Sequence, residues 1–148
     1  MTEIEKIFLT SSITIIGGVI IFTMQQIISK FFVETIYRQS EIISDISDAL
    51  VYYAREYSSP GLLSKELQDQ AHNKFRQLAS LLKARSYMIK WYGFLSFFSI
   101  IPNLNNIEEA SSNLIGLSNS LFNKSDGVEN HNRVVKIKKL LGIPSGIT

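Results

Sequence analysis

The sequence predicts an all-α protein in which an N-terminal transmembrane helix continues into a small cytoplasmic helical bundle. Three observations predict it. Residues 7–29, IFLTSSITIIGGVIIFTMQQIIS, carry no charge. Beyond them, apolar residues recur at steps of three and four, the period of one face of a helix. No stretch alternates apolar with polar as a half-buried strand would, and there is no internal repeat or sustained heptad pattern.

The charge-free run comes first. Its 23 residues rise about 35 Å as a helix, enough to cross a hydrocarbon core of roughly 30 Å. A lone span must be helical, because lipid offers the backbone no hydrogen-bond partner. A cleaved signal peptide would need a basic start, a shorter apolar core and a small-residue cleavage site. This chain starts MTEIEK, and Gln25, Gln26 and Lys30 lead on into helix-compatible sequence. A permanent anchor is therefore expected, with a buried helix of a soluble protein as its main competitor. Lys6 flanks the run on one side, and Lys30 and Arg38 on the other. The excess of cations after the run places the N-terminus outside and the rest in the cytoplasm. The expected division is 1–35 for the span and its flanks and 36–148 for the cytoplasmic domain.

Within the run, Ser11, Thr14, Gly18, Ile21 and Gln25 follow steps of three and four and share one stripe. Thr14 and Gly18 form a small-xxx-small pair, which lets two helix backbones approach. Gln25 can bond a copy of itself, worth about 1 kcal/mol in a membrane. Self-association through this stripe is expected. The competing account is that the hydroxyls satisfy their own helix. A water-lined pore would need several such helices with the stripe inward.

The helical pattern continues. Ile42, Ile46, Ala49, Leu50, Tyr53 and Tyr57 form one face, so one helix from about Glu3 to Tyr57 is expected, ended by SSPG at 58–61. A second helix is expected after Ser64 as N-cap, with Leu67, Ala71, Phe75, Leu78 and Leu82 facing inward. Asn105 and Glu108 have the spacing of a capping box, followed by the stripe Ile107, Ala110, Leu114, Leu117, Leu121 to about Phe122. NKSDG at 123–127 reads as a turn. The last helix carries Val134, Ile137 and Leu141, with Gly142 where a C′ glycine belongs and Pro144 beyond it.

A second apolar segment, Trp91 to Pro102, is too short to span. It is entered through Lys90, Trp91 and Tyr92, residue types found at headgroup level, and Lys83 and Arg85 precede it. An interfacial helix or loop on the membrane is expected, touching lipid through Lys90, Trp91, Tyr92, Phe94, Phe97 and Phe98. Burial in the bundle and a patch for a partner protein are the alternatives.

Composition narrows the chemistry. Hydrophobic residues make up 45% and charged residues 19%, the latter below the usual value of about 25%. The net charge of +2 makes no case for nucleic acid. Residues 61–90 sum to +4 and 124–148 to +3, while the segments between and before them are acidic. Zero cysteines remove disulfides, thiolate metal sites and cysteine nucleophiles. His72 and His131 are far apart in polar surroundings and read as surface residues. Glu41, Asp45 and Asp48 read as a solvated acidic face. There is no phosphate-loop, dinucleotide, zinc-protease or nucleophile-elbow motif, so no enzyme activity and no cofactor is expected.

The blocks SDALVYYAREYSSP, LASLLKARSYMI, NIEEASSNLIGLSNSLF and KIKKLLGIP together resemble a family of small, largely uncharacterised bacterial membrane proteins. These have one N-terminal span and a cytoplasmic helical domain. The resemblance covers most of the chain beyond about residue 40. It implies a bacterial inner-membrane location, single-pass, and carries over no activity and no site residue. The expected function is a membrane-anchored helical interaction module that self-associates through its span. Its expected partners are membrane lipid, further copies of the chain and a cytosolic protein. The alternative is an oligomeric membrane effector of defence or toxin type that perturbs or permeates the bilayer.

Overall fold

The computed structural model describes residues 2–61, 64–123 and 127–144. Among these residues the protein is all-α, with six helices and no strand.

The first helix, α1, runs unbroken over Glu3–Tyr52. Its start is held by a capping box: Glu5 N–H donates to the Thr2 hydroxyl at 3.4 Å, and Thr2 N–H donates to the Glu5 carboxylate at 2.8 Å. One turn, Ser29–Val33, is π-helical, a wider turn that shifts the faces above it relative to those below. The helix stops five residues short of the expected Tyr57. Tyr53 leaves helical geometry at φ −96° and ψ 24°, and α2 (Ala54–Ser58) follows. The physical reason is a local cap. The Tyr57 hydroxyl folds back to donate to the Leu50 carbonyl at 2.9 Å, satisfying one of the acceptors a helix end leaves open.

Helix α3 (Lys65–Tyr87) buries Ala71, Phe75, Leu78, Ala79 and Leu82. Its first turn departs from expectation: Gln68 is buried and Leu67 exposed. Ser64 precedes the helix in extended geometry but makes no side-chain cap. Helix α4 (Tyr92–Phe97) is a short piece after a tight reversal. Helix α5 (Leu104–Ser120) is capped by Asn103, whose side chain accepts from Asn105 N–H at 3.0 Å. The expected capping box on Asn105 and Glu108 is not formed, because Asn103 is the N-cap and Asn105 already lies within the first turn; Glu108 accepts from the Tyr87 hydroxyl at 2.7 Å. Helix α6 (Gly127–Leu141) ends as the sequence predicts. Gly142 takes φ +69°, and Ile143 N–H donates to the Lys138 carbonyl at 2.9 Å, the six-to-one bond of a Schellman cap. Of the expected turn at 123–127, Lys124, Ser125 and Asp126 lie outside the described residues.

The bundle packs α3 against α5 and α1, α5 against α6, and α2 against α6. Its core joins Ile42, Ile46 and Leu50 of α1 to Phe75, Leu78 and Leu82 of α3, to Ile107, Leu114 and Leu117 of α5, and to Ile137 of α6. Ala79 and Ser111 let α3 and α5 close up, and the Ser111 hydroxyl donates to the Ala79 carbonyl at 2.9 Å. Buried Asn130 ties three helices: its amide donates to the Tyr57 carbonyl at 3.1 Å and its oxygen accepts from Ser120. His72, expected on the surface, is half-buried and binds the Ser118 carbonyl at 2.9 Å. A carbonyl only accepts, so Nδ1 carries the proton.

The accessible surface is 9,998 Å². A compact monomer of 16.8 kDa should expose about 7,600 Å². The excess belongs to the N-terminal half of α1, which stands clear of the bundle.

Candidate membrane-facing surface

No residue of Glu3–Ile28 is buried. Ile7, Phe8, Ile15, Ile16, Ile20 and Phe22 are all exposed, on every side of the helix. A soluble core helix has its apolar surface covered by its own chain; here the window suited to crossing a membrane is 0% buried. One helix is therefore long and apolar enough to span a bilayer, and none of the described residues covers it.

Polar residues of this stretch share one side of the helix. Ser11, Thr14, Gly18, Ile21 and Gln25 lie on one side of α1, all exposed. A side chain added at Gly18 would meet nothing within 4 Å. The hydroxyls of Thr10, Thr14 and Thr23 donate to the carbonyls of Lys6, Thr10 and Val19 at 2.8–2.9 Å. Such back-bonding lets a hydroxyl face hydrocarbon without another partner. The Gln25 amide makes no such bond within the chain among the described residues.

The second apolar segment docks beside the end of this helix. Ile89, Leu95 and Ile101 form a small core of their own against Phe32 and Ile36 of α1. Lys90 Nζ lies 5.4 Å from the Phe31 ring centroid, a cation–π distance. The chain reverses through Trp91, which is left-handed at φ 65°, and α4 ends on Ser99 at φ 56°. Docking leaves a ridge outward. Trp91 is 71% exposed and Phe97 82%, and Phe94 and Phe98 are 58% exposed. The rings of Phe94 and Phe97 pack edge-on against Phe98 at 5.0 and 5.3 Å. Met88 and Ile100, outside the residues expected to touch lipid, are exposed as well.

Tyr92 differs from its neighbours. It points inward, donates to the Pro102 carbonyl at 2.6 Å and accepts from the Gln39 amide at 3.1 Å. Gln39 also donates to Ser86. The ridge is thus pinned to both α1 and α3. Burial raises the Tyr92 phenol above its ordinary value, with the bonds to Gln39 and Ser86 opposing it.

Beside the ridge, four cations converge that are 60 residues apart at the extremes. Lys30 and Arg38 come from α1, Arg85 from the end of α3, and Lys90 from the reversal. Arg38 pairs with Glu34 at 2.6 Å, which raises its pKa further. Arg85 pairs with Glu41 at 2.9 Å and donates to the Arg38 carbonyl at 2.8 Å. In the sequence, Lys30 and Arg38 stand apart from Arg85 and Lys90. Nothing local signals that they meet.

Elsewhere, an open cleft of about 390 Å³ between α5 and α6 is lined by Asn113, Arg133 and Lys136. Both cations there are paired, with Glu129 and Glu109. Asp45 and Asp48 are exposed, and among the described residues no three His, Cys, Asp or Glu side chains are grouped to hold a metal ion. No protein-family model, curated protein or solved structure matches the chain.

Proposed function

We propose that the chain is a membrane-anchored helical interaction module, a single-pass protein of a bacterial inner membrane that self-associates through its span. Residues 7–29 occupy the bilayer, the N-terminus lies outside, and the bundle is cytoplasmic. The observation that carries this reading is a single 50-residue helix whose C-terminal half is bundle core and whose N-terminal half is buried by none of the described residues. Leaving roughly 2,000 Å² of mostly apolar surface in water would cost on the order of tens of kcal/mol. Lipid and a second copy of the span remove that cost.

The ridge supports the same reading from another direction. A bulky residue in left-handed geometry costs about 1–2 kcal/mol, and Trp91 gains little packing in return because its ring is mostly exposed. A strained, outward-facing tryptophan beside the end of an apolar helix has the character of an interface anchor. The bundle buries its own core and is left free to dock a cytosolic partner.

The test is the mass of the full-length protein in a mild detergent, beside Gly18→Leu. Leucine fits the monomer without a clash, so a change in mass reports contact between copies. The expected result is a defined oligomer that Gly18→Leu reduces to monomer. A monomer in both would remove self-association from the reading. Failure of the protein to float with phospholipid vesicles would remove the anchor itself.

A further inference from the structure

We infer that the groove between α1 and the end of α3 binds one anionic phospholipid, its phosphate between Lys30, Lys90 and Arg38 and its chains toward the span. The inference rests on the membrane reading above and adds a site and a ligand class to it. The groove encloses about 360 Å³, within the range of roughly 300–1,000 Å³ typical of small-ligand sites.

Its charge is unbalanced in favour of an anion. Glu34 and Glu41 are taken by Arg38 and Arg85. Among the described residues no carboxylate lies within 4 Å of Lys30 or Lys90. Two positive charges therefore remain, and both arginines keep unused N–H donors, since a guanidinium carries five. A phosphate accepts from several such donors at once. A zwitterionic headgroup brings its own cation and would leave the surplus unmet.

The groove is also half of a larger amphipathic shape. A recess of about 290 Å³, lined by Ile27, Phe32 and Trp91, shares Phe31 and Lys90 with it. The apolar recess lies toward the span and the cationic groove toward the bundle. From Ile27 to Arg38 is about 16 Å along the helix. Chains toward the membrane centre and phosphate away from it is the order of a phospholipid in the leaflet nearer the bundle. Free phosphate would use the groove and leave the recess empty.

The test uses full-length protein in a neutral detergent, with native mass spectrometry during titration by phosphatidylglycerol or phosphatidylcholine of identical chains. Each cation near an anionic headgroup is worth about fivefold in affinity. One phosphatidylglycerol should therefore be retained about 25-fold in preference to phosphatidylcholine. Lys30→Gln/Lys90→Gln should abolish the preference, while Lys65→Gln/Lys136→Gln, remote from the groove, should keep it. All four lysines are exposed, and unchanged helical circular dichroism checks that each variant is folded. Equal retention of both lipids by the wild type, or equal loss in the remote variant, would overturn the site. Displacement of the lipid by 10 mM inorganic phosphate, on the order of a weak-site concentration, would overturn the lipid in favour of a free anion. Flotation with pure phosphatidylcholine vesicles separates the two claims. A protein that floats without lipid preference loses only the site; one that does not float loses the membrane reading and the site together.

Discussion

With residues 7–29 in the hydrocarbon, the midpoint of the span falls at Gly18. Trp91 and Phe31 line one recess, and Phe31 is about 13 residues further along α1, or about 20 Å at 1.5 Å per residue. The hydrocarbon half-thickness is about 15 Å, so the indole should stand about 5 Å beyond it, among the headgroups. A tilt of about 20° shortens this by only an ångström or so. Trp91 is the single tryptophan of the chain, so its fluorescence reports this depth directly. In reconstituted vesicles, bromine near the ester end of the lipid chains should quench it strongly, bromine at the chain end weakly, and aqueous iodide little. The perturbation is to move the probe. Trp91→Phe/Tyr52→Trp puts the indole at exposed Tyr52, about 50 Å from the midpoint on the same helix. There, lipid bromine should have no effect and iodide should quench fully. Chain-end bromine as effective as ester-end bromine on Trp91, or iodide quenching it as freely as Tyr52→Trp, would refute the placement of the ridge.

Other expectations concern the bundle. Ser99 ends α4 at φ 56°, so Ser99→Gly should stabilise by about 1 kcal/mol and raise the melting temperature by a few degrees, read by circular dichroism. Phe75 is fully buried between α1 and α5, and Phe75→Ala should cost about 3–5 kcal/mol, seen as a lower urea midpoint at constant slope. Asn130→Ala leaves the buried Tyr57 carbonyl without its donor and should cost about 2–3 kcal/mol in the same titration. Burial holds the Tyr57 phenol above its ordinary value, so the unfolded chain releases that proton first. Stability should stay flat to about pH 10 on account of this group and fall above it. Tyr57→Phe should remove its share of the fall, at about 1 kcal/mol for the lost bond to Leu50.

Where a residue's neighbours are set by its own helix, the sequence was legible. The stripes Ile42–Ile46–Leu50, Phe75–Leu78–Leu82, Ile107–Leu114–Leu117 and Val134–Ile137–Leu141 are all buried. Gly142 closes α6 because only local backbone bonds are involved. Legibility failed where a distant group competed. Glu108 reaches across to Tyr87 at the end of α3. His72 was drawn onto α5, and Tyr92 turned from the surface to Gln39 and Pro102.

By itself, then, the sequence determined the helices, their buried faces and the one stretch able to cross a membrane, because periodicity and hydropathy act within a few residues. It left open whether that stretch was covered by the bundle, and where the segment after Lys90 lay. Those are questions of contact between residues far apart in the chain. Only the tertiary structure decided them, by leaving Glu3–Ile28 uncovered, seating Ile89, Leu95 and Ile101 against Phe32 and Ile36, and so drawing Lys30, Arg38, Arg85 and Lys90 around one groove.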